Sequence, residues 1–283
     1  MVSVAERMYD DILIATDGSD AATTAATAGI ALARTLGATV HALSVVEDET
    51  DETRRKRRRE HAETVANRAI DAGCEADSAV LTGQAASEIR EYAATADVDV
   101  IVVGTHGRTG LRQALLGSVA LEVIRDARLP VLTVGSDATW DCEKSPIEDL
   151  CLATDGATGA TAATSHALSV ADACDARLHA LYAVDVDPDS PELHEAFEKH
   201  GERTTAEVAE QAQERGLETS QHVEHGPATD VVLEYTDAET VDLLVMGTES
   251  KSTLERLVVG SVSQRVVPNA DVPVLTVRTV ESS

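Results

Sequence analysis

The sequence predicts two tandem α/β domains, each a doubly wound, five-stranded parallel sheet with helices on both faces. Three observations predict it. Distinct segments recur once in each half of the 283-residue chain. Short apolar runs read as strands buried on both faces, as in parallel sheets. Ala-rich stretches with apolar residues at helical spacing alternate with those runs, and strand–helix alternation implies a parallel, doubly wound sheet.

The elements follow in order. DILIA at 11–15 is the first strand, matched by DLCLA at 149–153. AATTAATAGIALARTLG at 21–37 is the first helix, closed by Gly37. VHALSVV at 40–46 is the second strand, matched by LHALYAV at 178–184. A basic run from Arg54 to Arg59 opens the next helical stretch. SAVLTG and SQHVEHG carry the third strands, with the weakest pattern. VDVIVVG at 98–104 and VDLLVMG at 241–247 are the fourth strands. Gly117-Ser118 and Gly260-Ser261 begin further helical stretches, and PVLTV at 130–134 and 273–277 closes each half.

The offsets locate the duplication. Asp17 and Asp155 are 138 positions apart, as are His41 and His179. Gly104 and Gly247 are 143 apart, as are Gly117 and Gly260. The second copy thus holds a net insertion of five residues between its second and third strands. A repeat this long is a duplicated domain rather than a solenoid unit. The domains are placed at 1–137 and 147–283, joined by a polar linker at 138–146 that carries Pro146.

Composition narrows the function. The net charge is −27, from 50 acidic and 23 basic residues, which argues against nucleic acid as a partner. Lysine occurs only at Lys56, Lys144, Lys199 and Lys251. Such an excess of charge repels itself in dilute buffer. In molar salt the Debye length falls to about 3 Å and the repulsion is screened. The composition therefore suggests a halophilic source. Cys74, Cys142, Cys151 and Cys174 lack metal-ligand spacing and read as reduced thiols. No apolar run approaches the roughly 20 residues that span a bilayer. The start, MVSVAERMYDD, lacks the apolar core of a signal peptide. A cytoplasmic location away from membranes is expected.

Ligands of open parallel sheets bind beyond the carboxyl ends of the strands. Thr16 and Asp17 follow the first strand; Asp17 could accept from ribose hydroxyls or a base amine, or could cap the next helix. Val45 ends the second strand and could face a base or belong to the core. Gly104-Thr105-His106-Gly107 follows the fourth strand, with Gly117-Ser118 after nine more residues. These glycines allow close backbone approach, and the helix start favours an anion. The loop is neither a Walker A sequence nor a GxGxxG fingerprint. Between 104 and 120 the charges are Arg108 and Arg112 alone. In the second copy Ser250 replaces the second glycine, and Glu249 and Glu255 offset Lys251 and Arg256, although Thr154, Asp155, Gly247, Gly260 and Ser261 persist.

This pattern, Gly-x2-Gly-x9-Gly-Ser with Asp17 after the first strand and a PVLTV ending, resembles the universal stress protein family, once in each half. The resemblance implies an adenine nucleotide α-hydrolase-like fold and binding of ATP, or another adenine nucleotide, with Mg²⁺. It implies that Thr16 and Asp17 contact the nucleoside and Val45 the base. It implies that Gly104, Thr105, Gly107, Arg108, Gly117, Ser118 and Val119 line the phosphates. Ala120 stands where ATP-binding members often carry a hydroxyl, which Ser263 restores in the second copy. It further implies last strands that pair, here internally as a pseudo-dimer, with a homodimer also open and the protein partner unknown. No catalytic constellation and no metal cluster stands out, so an enzyme is not expected beyond slow ATP hydrolysis. A nucleotide-free scaffold, or an enzyme of the related superfamily, are the rival readings. The basic run could contact an anion or could be a solvated helix start paired with Glu60 and Glu63. His41 and His179 read as satisfied strand histidines.

Overall fold

Aliphatic strands and alanine-faced helices build both halves. The computed structural model describes residues 8–48, 50–105, 116–135, 138, 147–186, 190–248 and 260–278. Two units result, Met1–Pro146 and Ile147–Ser283. Residues 139–146 of the expected linker lie outside the described residues.

The first unit runs β1 (Asp11–Ala15), α1 (Asp20–Leu36), β2 (Thr39–Val46), α2 (Glu52–Asp71), β3 (Ala76–Thr82), α3 (Ala85–Thr95), β4 (Val100–Gly104), α4 (Ser118–Asp126) and β5 (Val131–Val134). The second runs β6 (Asp149–Ala153), α5 (Thr158–Cys174), β7 (Arg177–Val184), α6 (Pro191–Glu214), β8 (Thr219–His225), α7 (Ala228–Ala238), β9 (Leu243–Gly247), α8 (Ser261–Val266) and β10 (Val274–Val277). Within each unit all the strand pairings are parallel, in the orders β3-β2-β1-β4-β5 and β8-β7-β6-β9-β10. Right-handed crossovers then put α1 with α2 on one face and α3 with α4 on the other. The second unit repeats this with α5 and α6, then α7 and α8. The doubly wound architecture expected from the sequence is observed.

Local chemistry explains the elements. Ser19 caps α1 by accepting from the Ala22 amide at 3.3 Å, and Gly37 ends it in the left-handed region at φ 68°. The buried side of α1 is largely alanine, with Ile30 and Leu32, so the helix can approach β1 and β4 closely. β1, β4 and their repeats are buried along almost their whole length. The inserted residues lengthen one helix: α6 has 24 residues against 20 in α2 and starts on Pro191.

The amino ends of the strands are held by polar clamps. Asp99 Oδ2 accepts from the amides of Asp10 and Asp11 at 2.7 and 3.0 Å, joining the entry of β4 to that of β1. Asp242 does the same for Glu148 and Asp149 at 2.8 and 3.0 Å. His41 Nε2 lies 2.9 Å from Asp11 Oδ1, and its Nδ1 lies 3.1 Å from the Tyr92 hydroxyl. His179 repeats the chain with Asp149 and Tyr235 at 2.9 and 2.8 Å. A ring that donates through Nε2 to the carboxylate and accepts through Nδ1 from the phenol satisfies every member. Burial pushes the Tyr92 and Tyr235 phenols up, so both stay donors. Both histidines are satisfied in the strand, as expected.

His179→Phe should leave Asp149 and Tyr235 without their ring partner and lower unfolding stability by about 1–3 kcal/mol. His41→Phe should cost less, because its side chain is 14% exposed against 5% for His179. Urea unfolding in high salt checks both. An unchanged midpoint for His179→Phe would show that the network contributes nothing.

Candidate functional site

Neighbouring strands β1 and β4 leave the sheet toward opposite sides, because β1 leads to α1 on one face and β4 to α4 on the other. This switch point is where doubly wound sheets take ligands. Register Ile14↔Val102 brings the segments after Ala15 and Gly104 side by side at the carboxyl edge.

The turn after β1 is tightly specified. The Thr16 amide donates to the Leu43 carbonyl at 2.8 Å, and the buried Ser44 hydroxyl donates to the Thr16 carbonyl at 2.6 Å. Thr16 Oγ1 accepts from the Gly18 amide at 3.3 Å, and Asp17 Oδ1 accepts from the Ser19 amide at 2.9 Å. Gly18 has φ 79°, and the His61 ring occupies the space a side chain there would need. Asp17 is therefore not the helix cap, which is Ser19; it forms a side-chain turn one residue upstream and stays exposed. Partial burial works to raise the Asp17 pKa. Hydrogen bonds from Ser19 and the Arg58 guanidinium outweigh it, so the carboxyl lies below its usual range. Val45 is half-buried at the end of β2, in register with Leu81.

The second unit rebuilds the turn with different support. Thr154 donates to the Leu181 carbonyl at 3.0 Å, Gly156 donates to Thr154 Oγ1 at 3.2 Å, and Ala157 donates to Asp155 Oδ1 at 2.9 Å. Ala157 sits at the cap of α5 and supplies no side-chain acceptor.

On the β4 side, a Cβ on Gly104 would lie 2.5 Å from the Ala21 carbonyl carbon, so close packing on α1 excludes a side chain there. The Thr105 amide donates to the Val134 carbonyl at 2.9 Å, with its side chain buried. Gly107 and Arg108 lie outside the described residues, as does Ser250. Gly117 is the N-cap of α4 and offers no side-chain acceptor, while Ser118 and Val119 open the helix exposed. Ala120 is buried. Amides of a first turn without a side-chain cap are the usual partners of an anion.

The second loop is arranged differently. The Thr248 amide donates to the Val277 carbonyl at 3.0 Å, matching Thr105. Gly260 then donates its amide to the Thr248 carbonyl at 2.6 Å. No counterpart joins Gly117 to Thr105 among the described residues. The buried Ser263 hydroxyl donates to the Gly260 carbonyl at 2.9 Å. Helix α8, opened by Ser261, has six residues against nine in α4.

The basic run is only partly the solvated, ion-paired start expected from the sequence. Lys56 lies 4.0 Å from Glu60, and Arg54 lies 3.6 Å from Asp51. Arg55 and Arg58, one helical turn apart, instead turn to the carboxyl edge of the sheet. Arg55 donates to Thr82 Oγ1 at 3.0 Å and Arg58 to the Asp17 carbonyl at 2.6 Å. Sequence reasoning missed Arg58, Ser44 and their second-unit replacements Gly201 and Tyr182. Comparing the two copies position by position, at both offsets, could have found them.

The family described as the universal stress protein family matches twice, over residues 8–135 and 147–278. A universal stress protein of Methanocaldococcus jannaschii is 34% identical over 137 residues, which is 46% of this chain and 81% of that protein. One of Mycolicibacterium smegmatis is 32% identical over 192 residues, covering 65% of this chain and 63% of that protein. The chain thus spans less than two thirds of the mycobacterial relative. The crystal structure of a universal stress protein from Archaeoglobus fulgidus shares the fold, with a TM-score of 0.73 over 97% of this chain and 99% of that one at 21% identity. No helix among the described residues is long and apolar enough to cross a membrane.

Two substitutions probe this site. Gly104→Ala forces a methyl against the α1 backbone and should cost about 1–3 kcal/mol, read as a lowered thermal midpoint. The folded Asp17 pKa lies below its ordinary value of 3.8, so its ionised form adds stability above that pH. That stability is lost as pH falls through the folded pKa. Asp17→Asn should therefore flatten the acid limb of the stability curve; an unchanged limb would refute the stabilising turn.

Proposed function

The chain belongs to the universal stress protein family, and from that premise we propose that it binds an adenine nucleotide, ATP with Mg²⁺, and that occupancy serves a regulatory role in stress survival. One observation carries the reading. The carboxyl end of β1 holds an ionised Asp17, and the neighbouring strand β4 leads to a nine-residue helix that starts on Gly117 without a side-chain cap. A carboxylate acceptor suits ribose hydroxyls or a base amine, and amides at a helix start suit phosphate. Thr16, Asp17 and Val45 are proposed for the nucleoside. Gly104, Thr105, Gly107, Arg108, Gly117, Ser118 and Val119 are proposed to line the phosphates. Thr154, Asp155, Gly247, Ser250, Gly260, Ser261 and Ser263 form the corresponding set in the second unit.

The role proposed is binding, with slow ATP hydrolysis as the alternative. The location proposed is the cytoplasm, in a salt-loving organism, with a protein partner that reads nucleotide occupancy. β5 and β10 carry the same sequence, VLTV, and each ends the strand order of its own unit. We read them as paired internally, so that one chain is a pseudo-dimer; a homodimer would be a further step. Slow hydrogen exchange at the Val131, Thr133, Val274 and Thr276 amides of a monomeric chain is expected, and fast exchange would exclude the pairing.

Calorimetric titration of the full chain with ATP–Mg²⁺ in molar salt tests the function. Saturable heat is expected, with binding lost in Gly117→Val. No heat, together with no nucleotide released on heat denaturation of the purified chain, would leave the scaffold reading in its place. Dialysis to low salt should lower the thermal midpoint, because 27 net negative charges then repel with a longer range. A midpoint independent of salt would contradict the halophilic reading.

A further inference from the structure

The two units differ where α2 and α6 meet the turn after the first strand. At the 143-residue offset, Arg54–Arg59 of α2 correspond to Phe197–Glu202 of α6. Six cations in one copy correspond to a segment, Phe-Glu-Lys-His-Gly-Glu, with one more acid than base in the other. In a chain with 23 basic residues in total, this concentration of cations at one helix start is a local feature rather than a composition effect.

Two of these side chains reach the sheet. Arg58 donates to the Asp17 carbonyl at 2.6 Å, and the buried Ser44 hydroxyl donates to the neighbouring Thr16 carbonyl at 2.6 Å. The second unit has exchanged both partners. Tyr182 stands at the position of Ser44 and is only 3% exposed. Its ring occupies the space above residue 201, where a Cβ would lie 2.5 Å from Tyr182 Cδ1. Tyr182 therefore requires glycine at 201 and forbids an arginine there. The Asp155 carbonyl meets His200 Nε2 at 3.4 Å instead of a fixed cation. The same unit spends its Gly260 amide on Thr248 and has the shorter helix α8.

A guanidinium bonded to the turn carbonyl keeps a permanent positive charge beside Asp17 and locks the turn to α2. Charge-assisted hydrogen bonds are roughly twice as strong as neutral ones. A polyphosphate gains from that field, and the second unit has an imidazole there in place of the guanidinium.

We infer that Arg58 is the positioning residue that makes the first unit the single nucleotide site of this chain, and that the Tyr182–Gly201 pair deprives the second unit of that support. The inference rests on the adenine-nucleotide reading above. It names a nucleoside polyphosphate, in preference to a monophosphate, as the ligand that the arginine-bearing unit takes.

Titration calorimetry of the full chain with ATP–Mg²⁺ in molar KCl decides it. One ATP per chain is expected, with all binding lost in Asp17→Ala. Two ATP per chain, or one remaining in Asp17→Ala, overturns the inference and leaves the nucleotide reading intact. No binding by the unaltered chain overturns the nucleotide reading itself. The role of Arg58 has its own readout. Arg58→Gln should weaken ATP by about tenfold, the loss of one charged contact. It should weaken AMP less and reduce the salt dependence of ATP binding, while Arg58→Lys restores much of each. A purely structural role would lower the thermal midpoint and weaken ATP and AMP alike. The graft Ser44→Tyr with Arg58→Gly moves the second unit's packing into the first, so a folded chain without Arg58 can be measured. ATP affinity unchanged in the graft overturns the proposal.

Discussion

The lateral pairing of β1 with β4 is the constraint on which the site depends. The chain builds β2 and β3 outward from β1, then crosses back and lays β4 on the other side. Asp99 holds this join at its amino end by accepting two amides of the segment entering β1, and Asp242 repeats the arrangement. Because those ends are clamped by carboxylate–amide and Asp–His–Tyr contacts, the opposite ends can diverge without loosening the sheet. Divergence of the two connections creates the crevice. The Asp–His–Tyr chains therefore lie at one edge, and the groups that could meet a ligand lie at the other.

Aliphatic packing makes the same arrangement possible twice. The strands at the centre of each unit are mostly Ile, Leu, Val and Ala, with Cys151 and Met246 buried in the second, and α1 presents alanines toward its own. Small side chains let the α1 backbone come so near to β4 that Gly104 has no space for a Cβ. A residue that looks like a ligand-approach glycine in the sequence is thus also a packing glycine. Thr105 likewise turns its side chain inward and gives its amide to the Val134 carbonyl, so it shapes the end of β4.

Much of this was legible beforehand, for a physical reason. Short continuous apolar runs, helical spacing of alanines and two constant offsets are local or linear signals, and they identified the strands, the first helix and the inserted residues. Three matters were not legible. Asp17 and Ser19 are both good cap residues by type, and only the backbone turn around Gly18 assigns the cap to Ser19. The basic run offers six cations on adjoining helix positions, and which of them turn inward depends on the sheet edge beneath α2. The exchange of Ser44 and Arg58 for Tyr182 and Gly201 spans segments with different offsets, on a strand and a helix. No window along the chain contains both partners; comparing the copies can show each difference, and the contact of Tyr182 with Gly201 in space shows that they belong together.

The contact between Tyr182 and Gly201 also constrains how the second unit can change. Replacing Tyr182 by a small residue leaves a void where a buried ring stood, and losing a large core aromatic costs about 3–5 kcal/mol. Placing an arginine at 201 first drives it into the ring. Each single step toward the first unit's arrangement passes through a damaged core, although the finished pair would be sound. Once duplicated and exchanged, the two halves are held apart by a ratchet: their divergence is easier to deepen than to reverse, even where the selection that produced it has gone.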